Sequence, residues 1–307
     1  MSLALLFPGQ GSQSVGMASS LAKEVPVARR TLEEADDLLG FSLSSLMAEG
    51  PEEELTATKN VQPAILAHSV AVLRAVGERV GPVALTAGHS LGEFTAHVTA
   101  GTLSFADALQ AVRRRGELMF EAGEAREGTM AAVLGLDDVT LEETLARVDA
   151  GVCVPANFNS SSQIVISGDL AGMKEGTELL EEAGARRVLP LKVSGAFHSP
   201  LMAPAADGLR AALESVEFSD PKVPVISNVT AEPVASGETA RELLVAQLTS
   251  PVRWAATIDT MTAAGVDRFL ELGPGSVLCG LNRRNARDAS CASMGEAEDI
   301  YAYEGVA

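Results

Sequence analysis

The segment "TAGHSLGEFTAH", Thr86 to His97, sets a serine in a G-x-S-x-G frame with a histidine on either side. A serine hydroxyl attacks a carbonyl only when a base removes its proton and hydrogen-bond donors meet the oxyanion that forms. The apolar run "VALTAG" leads into "HSLG" and then into helical "EFTAHVTAG", the strand, sharp turn and helix that a nucleophile elbow requires. Gly88 and Gly92 leave room where a Cβ would clash, so the turn can lift Ser90 above a sheet. The helix starting beside it aims backbone N–H groups at the same point, that of Leu91 foremost. The competing structural explanation is a tight turn with a helix-capping serine.

Four histidines can serve as the base. His68 lies on the apolar face of "AILAHSVAVL" and reads as a core residue. His97 follows Ser90 by two helical turns, at about 1.5 Å per residue, and sits too deep to reach the hydroxyl. His89 adjoins the serine, but neighbours at a sharp turn point apart, which suits a pocket wall. His198, in "KVSGAFHSPLM", falls just past an expected strand end, where open α/β sheets gather their sites, and is the best candidate. No acid between Ser90 and His198 occupies an obvious strand-end loop, which leaves a backbone carbonyl as the alternative orienting group.

Short apolar runs alternate with helical patterns almost throughout, as in a parallel sheet with helices on both faces. Strands are expected at Leu3–Phe7, Val83–Gly88, Val223–Asn228 and Arg268–Leu272. Helices are expected over Gly16–Leu39, Val61–Val80, Phe105–Ala122, Pro200–Val216 and Val252–Ala264. From Gly128 to Val193 the order becomes βαββαβ, a ferredoxin-like pattern inserted into the larger unit. The expected division is 1–127 with 194–307 for the large α/β subdomain and 128–193 for the small one, with a site in the cleft between them. The acidic end "GEAEDIYAYEGVA" reads as dispensable for the core.

Of the 307 residues, 47% are hydrophobic, enough for a large globular core. A net charge of -18 argues against nonspecific nucleic-acid binding. The start, "MSLALLFPGQ", lacks a basic region and its apolar run ends at Pro8, and no stretch reaches the roughly 18 apolar residues of a membrane span. A cytoplasmic location without membrane attachment is expected, with a monomer as the default. Cys153, Cys279 and Cys291 are an odd number without C-x-x-C spacing, so neither a disulfide nor a metal site is expected; they read as two core residues and one near the tail.

A set of ordered blocks carries a more specific likeness: "FPGQGSQSVGM", "QPAI", "GHSLGEF", "RRRGELM", "GTMAAVLGL", "NFNSSSQIVISG", "GAFHSPLM", "QLTSPVRW" and "ELGPGSVLCGL", spanning Leu3 to about Leu281. In these the chain resembles the malonyl-CoA:acyl carrier protein transacylases and the related acyltransferase domains of polyketide synthases. The resemblance implies an α/β-hydrolase-like subdomain with a ferredoxin-like insert and no cofactor, the CoA thioester being a substrate. It implies that Ser90 takes a malonyl group from malonyl-CoA and passes it to the phosphopantetheine thiol of an acyl carrier protein, for fatty acid or polyketide synthesis. His198 is then base and acid, a backbone carbonyl near Gln247 orients it, and the N–H groups of Gln10 and Leu91 form the oxyanion hole.

On residues alone "RRR" at 113–115 reads as a solvated basic face; the resemblance singles out Arg115, whose planar guanidinium suits a carboxylate. Arg114 and Arg113 lie about 100° and 200° away around the helix. Phe197 in "AFH" resembles malonyl-selective enzymes, where a ring excludes an added methyl, although Gly195 departs from the usual histidine of polyketide domains. Gln62, Asn157, Asn159 and Gln10 are further donors for the cleft. An acidic carrier protein needs a basic patch, for which Arg186, Arg187, Lys192, Arg283, Arg284 and Arg287 are candidates. A serine hydrolase or thioesterase shares Ser90 and His198 but gives Arg115 no task; a noncatalytic carrier-binding scaffold forms no covalent adduct.

Overall fold

The computed structural model describes residues 2–305. Four parallel strands form the central sheet in the order β2-β1-β7-β8: β1 Leu3–Phe7, β2 Val83–Gly88, β7 Arg268–Leu272 and β8 Ser290–Met294. The centre strand β1 is apolar on both faces because both are covered. Leu3, Leu5 and Phe7 join the larger core, and Ala4 and Leu6 join a second core with Trp254 and Ile258.

A second sheet is built from β3 Gly128–Leu134, β4 Cys153–Ser160, β5 Gln163–Asp169 and β6 Arg187–Pro190, all antiparallel in the order β4-β5-β3-β6. With the helices Asp138–Leu145 and Leu170–Glu182 it makes the expected βαββαβ unit. Strand alternation divides its side chains: Ala131 and Val133 pack on its own helices, and Met130 and Ala132 face the main core. The two units are tied where Val252 exchanges backbone hydrogen bonds with Ala156 and Phe158, at 2.8 and 2.9 Å.

Several expectations are corrected. Val223–Asn228 forms no full strand: Val225 makes one parallel bridge to Thr86, and Ile226 turns back to pair with Pro233. Pro224 has no N–H to extend a ladder. The helix expected over Gly16–Leu39 is two, Ser19–Glu24 and Pro26–Leu39, because Pro26 holds Val25 extended. The helix expected over Val61–Val80 runs Thr58–Val76, and that over Pro200–Val216 is a short 3-10 turn followed by Ala203–Leu213.

Cys279 and Cys291 form a disulfide, with Cα atoms 5.4 Å apart, while Cys153 is buried and free. The helix Val277–Asn285 followed by β8 doubles the chain back, a tertiary return that counting and spacing do not reveal. The acidic end is not dispensable either. It forms the helix Ala297–Ala302, which buries Ala297 and Ile300 in the main core. His68 Nε2 donates to Gly295 O at 2.8 Å, and Arg79 donates to Ile300 O at 3.0 Å. Residues 306–307 of that segment lie outside the described residues.

The elbow leaves no room for a side chain at either of its glycines. A Cβ on Gly88 would lie 1.9 Å from the carbonyl carbon of Gly92, and one on Gly92 would lie 2.2 Å from Phe7 O. Both obstacles are backbone, so neither can swing aside. Gly92→Ala should cost about 3 kcal/mol or more of unfolding free energy, well above the usual surface substitution. Urea denaturation with an unchanged midpoint would show that the strand and helix are free to separate.

Candidate active site

Ser90 stands at the end of β2, with φ of 51°. A non-glycine residue held in this left-handed region stores roughly 1–3 kcal/mol, which the surrounding packing must offset. The turn is fixed by His89 N–H to Phe7 O at 2.9 Å and by Ser90 N–H to Asn228 Oδ1 at 2.7 Å. His198 is also left-handed, with φ of 56°. Its ring is carried there by the link between β6 and the turn at Pro200, where Ser199 Oγ donates to Ala196 O at 2.6 Å and accepts from Leu201 N–H.

These two strained residues meet. Ser90 Oγ lies 2.8 Å from His198 Nε2, and His198 Nδ1 lies 2.9 Å from Gln247 O. A carbonyl only accepts, so Nδ1 carries the proton and Nε2 is left as the acceptor for the serine hydroxyl. Burial, with Arg115 nearby, lowers the imidazole to about 3, so it is neutral and basic in form at any ordinary pH.

Arg115 comes from the helix Phe105–Ala125, and the residue is 1% exposed. That helix crosses Thr58–Val76 closely because residue 116 is glycine: a Cβ there would lie 2.6 Å from Thr58 O. Arg115 Nη1 donates to Gln62 Oε1 at 2.6 Å, and Nη2 donates to Gln247 Oε1 at 2.9 Å and to Ser90 Oγ at 3.1 Å. Burial lowers it only to about 10, so it remains a cation. Arg113 turns outward to Glu117 and Asn60, and Arg114 to Glu117 and Glu121.

A cavity of about 110 Å³ opens over Ser90, lined by Gln10, Gln62, His89, Leu91, Arg115, Asn157, Phe197 and His198 among others. No hydrogen bond among the described residues uses the N–H of Gln10 or of Leu91. His89 forms part of the wall: its Nε2 lies 2.9 Å from Asn159 Oδ1, and its ring is tilted on Trp254 at 5.5 Å. His97 is fully buried without a hydrogen-bond partner, and so makes none to Ser90. Of the basic candidates, Lys192 lines an adjoining cavity with Gln10, Glu52 and Glu53. Arg283 and Arg287 line a separate cavity beside the disulfide. Among the described residues no cluster of His, Cys, Asp or Glu could hold a metal, and no helix is long and apolar enough to cross a membrane.

Sequence reading missed Glu93 and Asn228. Asn228 Oδ1 accepts from Ser90 N–H and its Nδ2 donates to Gly88 O at 2.8 Å, so one side chain staples both ends of the elbow. Glu93 Oε2 accepts from Gln247 Nε2 at 2.6 Å and from Asn228 N–H at 3.1 Å. A signal existed for Glu93: an acidic residue between Gly92 and Phe94, in the opening turn of a helix that packs directly behind the elbow, has little solvent to face. Asn228 carries no such mark, since it arrives from a segment 138 residues away.

A serine half-buried on its elbow and bonded to a neutral histidine is equipped to form an ester by acyl transfer. The chain belongs to the family of acyl transferase domains, whose model matches residues 4–300. It is 47% identical to the malonyl CoA-acyl carrier protein transacylase of Bacillus subtilis, over 97% of this chain and 95% of the relative. It is 42% identical to the same enzyme of Escherichia coli K12, over 95% and 96%. An acyl carrier protein S-malonyltransferase from Vibrio cholerae superposes with a TM-score of 0.94, at 41% identity and 98% and 99% coverage. A malonyl-transacylase solved in complex with a type II polyketide acyl carrier protein superposes equally well, at 42% identity and 99% coverage of both chains.

The lowered imidazole has a kinetic consequence. With an acetyl thioester, the second-order rate constant for acylating Ser90 should stay level from about pH 8 down to about pH 5. An ordinary histidine, with a pKa of about 6.5, would leave only a few per cent of the rate at the lower limit. Rapid-quench measurement of the acyl-enzyme across that range distinguishes the two.

Proposed function

We propose that the chain transfers malonyl groups from malonyl-CoA to the phosphopantetheine thiol of an acyl carrier protein through an ester on Ser90. The observation that carries this reading is the buried guanidinium of Arg115 with Nη2 3.1 Å from Ser90 Oγ. A fixed cation at that distance from a nucleophile suits an acyl group that ends in a carboxylate. The names of the relatives, and the carrier-protein complex of one similar structure, point to the same substrates.

In this reading His198 Nε2 takes the hydroxyl proton as Ser90 Oγ attacks the thioester carbonyl, and Gln247 O stabilises the resulting imidazolium through Nδ1–H. The tetrahedral oxyanion is met by the N–H groups of Leu91 and Gln10. Collapse breaks the C–S bond, and the leaving sulfur takes the proton back from His198. A carrier thiol then gives its proton to His198 and attacks the ester, and Ser90 leaves with that proton. Gln62 and Gln247 hold Arg115 against the malonyl carboxylate, Phe197 closes the space beside the α-carbon, and His89, held by Asn159, forms part of the wall. The chemistry uses only side chains, backbone amides and the two thiols, in a cytoplasmic, monomeric protein. The insert, with limits near 128 and 193, supplies one wall of the cleft, and the mouth near Lys192 is where the carrier arm enters.

Mixing the protein with malonyl-CoA alone should give one malonyl adduct by intact mass, located on Ser90 by peptide mapping and absent from Ser90→Ala. The adduct should persist until a carrier thiol is added. Rapid loss to water instead would assign a hydrolase, and no adduct at all would leave a noncatalytic scaffold.

A further inference from the structure

Glu93 takes no part in the transfer steps, yet it is fully buried one side chain away from Arg115. The Gln247 carboxamide spans the gap: its Nε2 donates to Glu93 Oε2 at 2.6 Å, and its Oε1 accepts from Arg115 Nη2 at 2.9 Å. The second carboxyl oxygen, Oε1, is buried without a hydrogen-bond partner. The site therefore joins one cation and one buried carboxyl group, ionised above about pH 7, through a single amide. An acyl carboxylate arriving at Arg115 makes two anions share one cation where water is excluded, which is unfavourable unless one is neutralised.

Building on the proposed malonyl transfer, we propose that Glu93 is a positioning residue and the counter-charge of Arg115 in the empty site, and that it takes up one proton when an acyl carboxylate becomes Arg115's partner. The bare Oε1 is the atom that receives it. A neutral acid still accepts from Gln247 and Asn228 through Oε2, so the network around the elbow persists.

Burial already raises the Glu93 carboxyl to about 7, against the opposing pull of its hydrogen bonds and of Arg115. The other ionisable groups around it do not titrate nearby. On its own helix His97 is lowered by burial to about 3. From the packed elements, Arg115 stays charged, His198 is lowered to about 3 and His68 to about 4, and burial lowers His89 as well. Strands β1 and β2 bring no ionisable side chain. The acyl carboxylate itself is ionised throughout.

The sign follows from linkage. Below about pH 7 Glu93 is already protonated and binding of a carboxylated acyl group takes up nothing; above it, each bound group requires a proton from solution. Affinity then falls by up to tenfold per pH unit. An acetyl group, lacking the carboxylate, is indifferent, and the phosphates of CoA are common to both donors.

The experiment is the concentration dependence of Ser90 loading by malonyl-CoA and by acetyl-CoA, read by intact mass between about pH 6 and pH 8.5, for the native protein and for Glu93→Gln. The ratio of half-saturating concentrations, malonyl over acetyl, should rise about tenfold between pH 7 and pH 8.5 in the native protein and stay flat in Glu93→Gln. A merely structural Glu93 would affect loading of both groups alike and leave the ratio flat. A flat native ratio, or a slope that survives Glu93→Gln, overturns the proposal while leaving malonyl transfer intact. Absence of any malonyl adduct at every pH overturns both. Should Glu93→Gln fail to fold, the native ratio still decides.

Discussion

A buried arginine, Arg115, only 1% exposed, is the constraint around which the rest of this structure is arranged. Taking a cation out of water costs several kcal/mol, and the charge persists only where donors are matched and an anion lies close. Here two glutamine oxygens and the serine hydroxyl accept from the two Nη atoms of Arg115, Nε is left without a partner, and Glu93 stands behind one of those glutamines. Each partner comes from a different part of the chain, so the cation can be satisfied only when the helices Thr58–Val76 and Phe105–Ala125, the elbow and the 3-10 turn at Gln247 are all in place. Charge satisfaction and assembly of the site are one requirement.

Gln247 shows how economical that requirement is. Its backbone carbonyl accepts from the His198 ring, while its side chain accepts from Arg115 and donates to Glu93 and to Ser90 O. One residue thus couples the tautomer of His198, the position of Arg115 and the backbone of Ser90. The same interactions explain why Ser90 and His198 can both occupy left-handed backbone: the strain is held by contacts that the empty site already makes.

What could be read from the residues in order follows from how local each feature is. The elbow is written in seven consecutive residues, so Ser90 stood out at once, and β1, β2, β7 and the inserted unit were visible as apolar runs with the right period. His198 emerged by excluding three alternatives. Arg115 did not emerge from its own neighbourhood, where three arginines in succession suggest a wet surface; only the family likeness singled it out. Glu93, Asn228, the disulfide and the packed acidic end were not legible, because each acquires its role from a partner more than ten residues away that the fold alone brings near.

The direct test of the central claim, that the buried cation selects a carboxylated acyl group, is the ratio of kcat/KM for malonyl-CoA over acetyl-CoA in the native protein and in Arg115→Ala. The expected result is a fall in that ratio by about 100-fold or more, on the scale of losing one partner of a buried charge pair, with acetyl transfer kept or gained. An equal fall for both donors, leaving the ratio unchanged, would contradict it and reduce Arg115 to a support for the elbow.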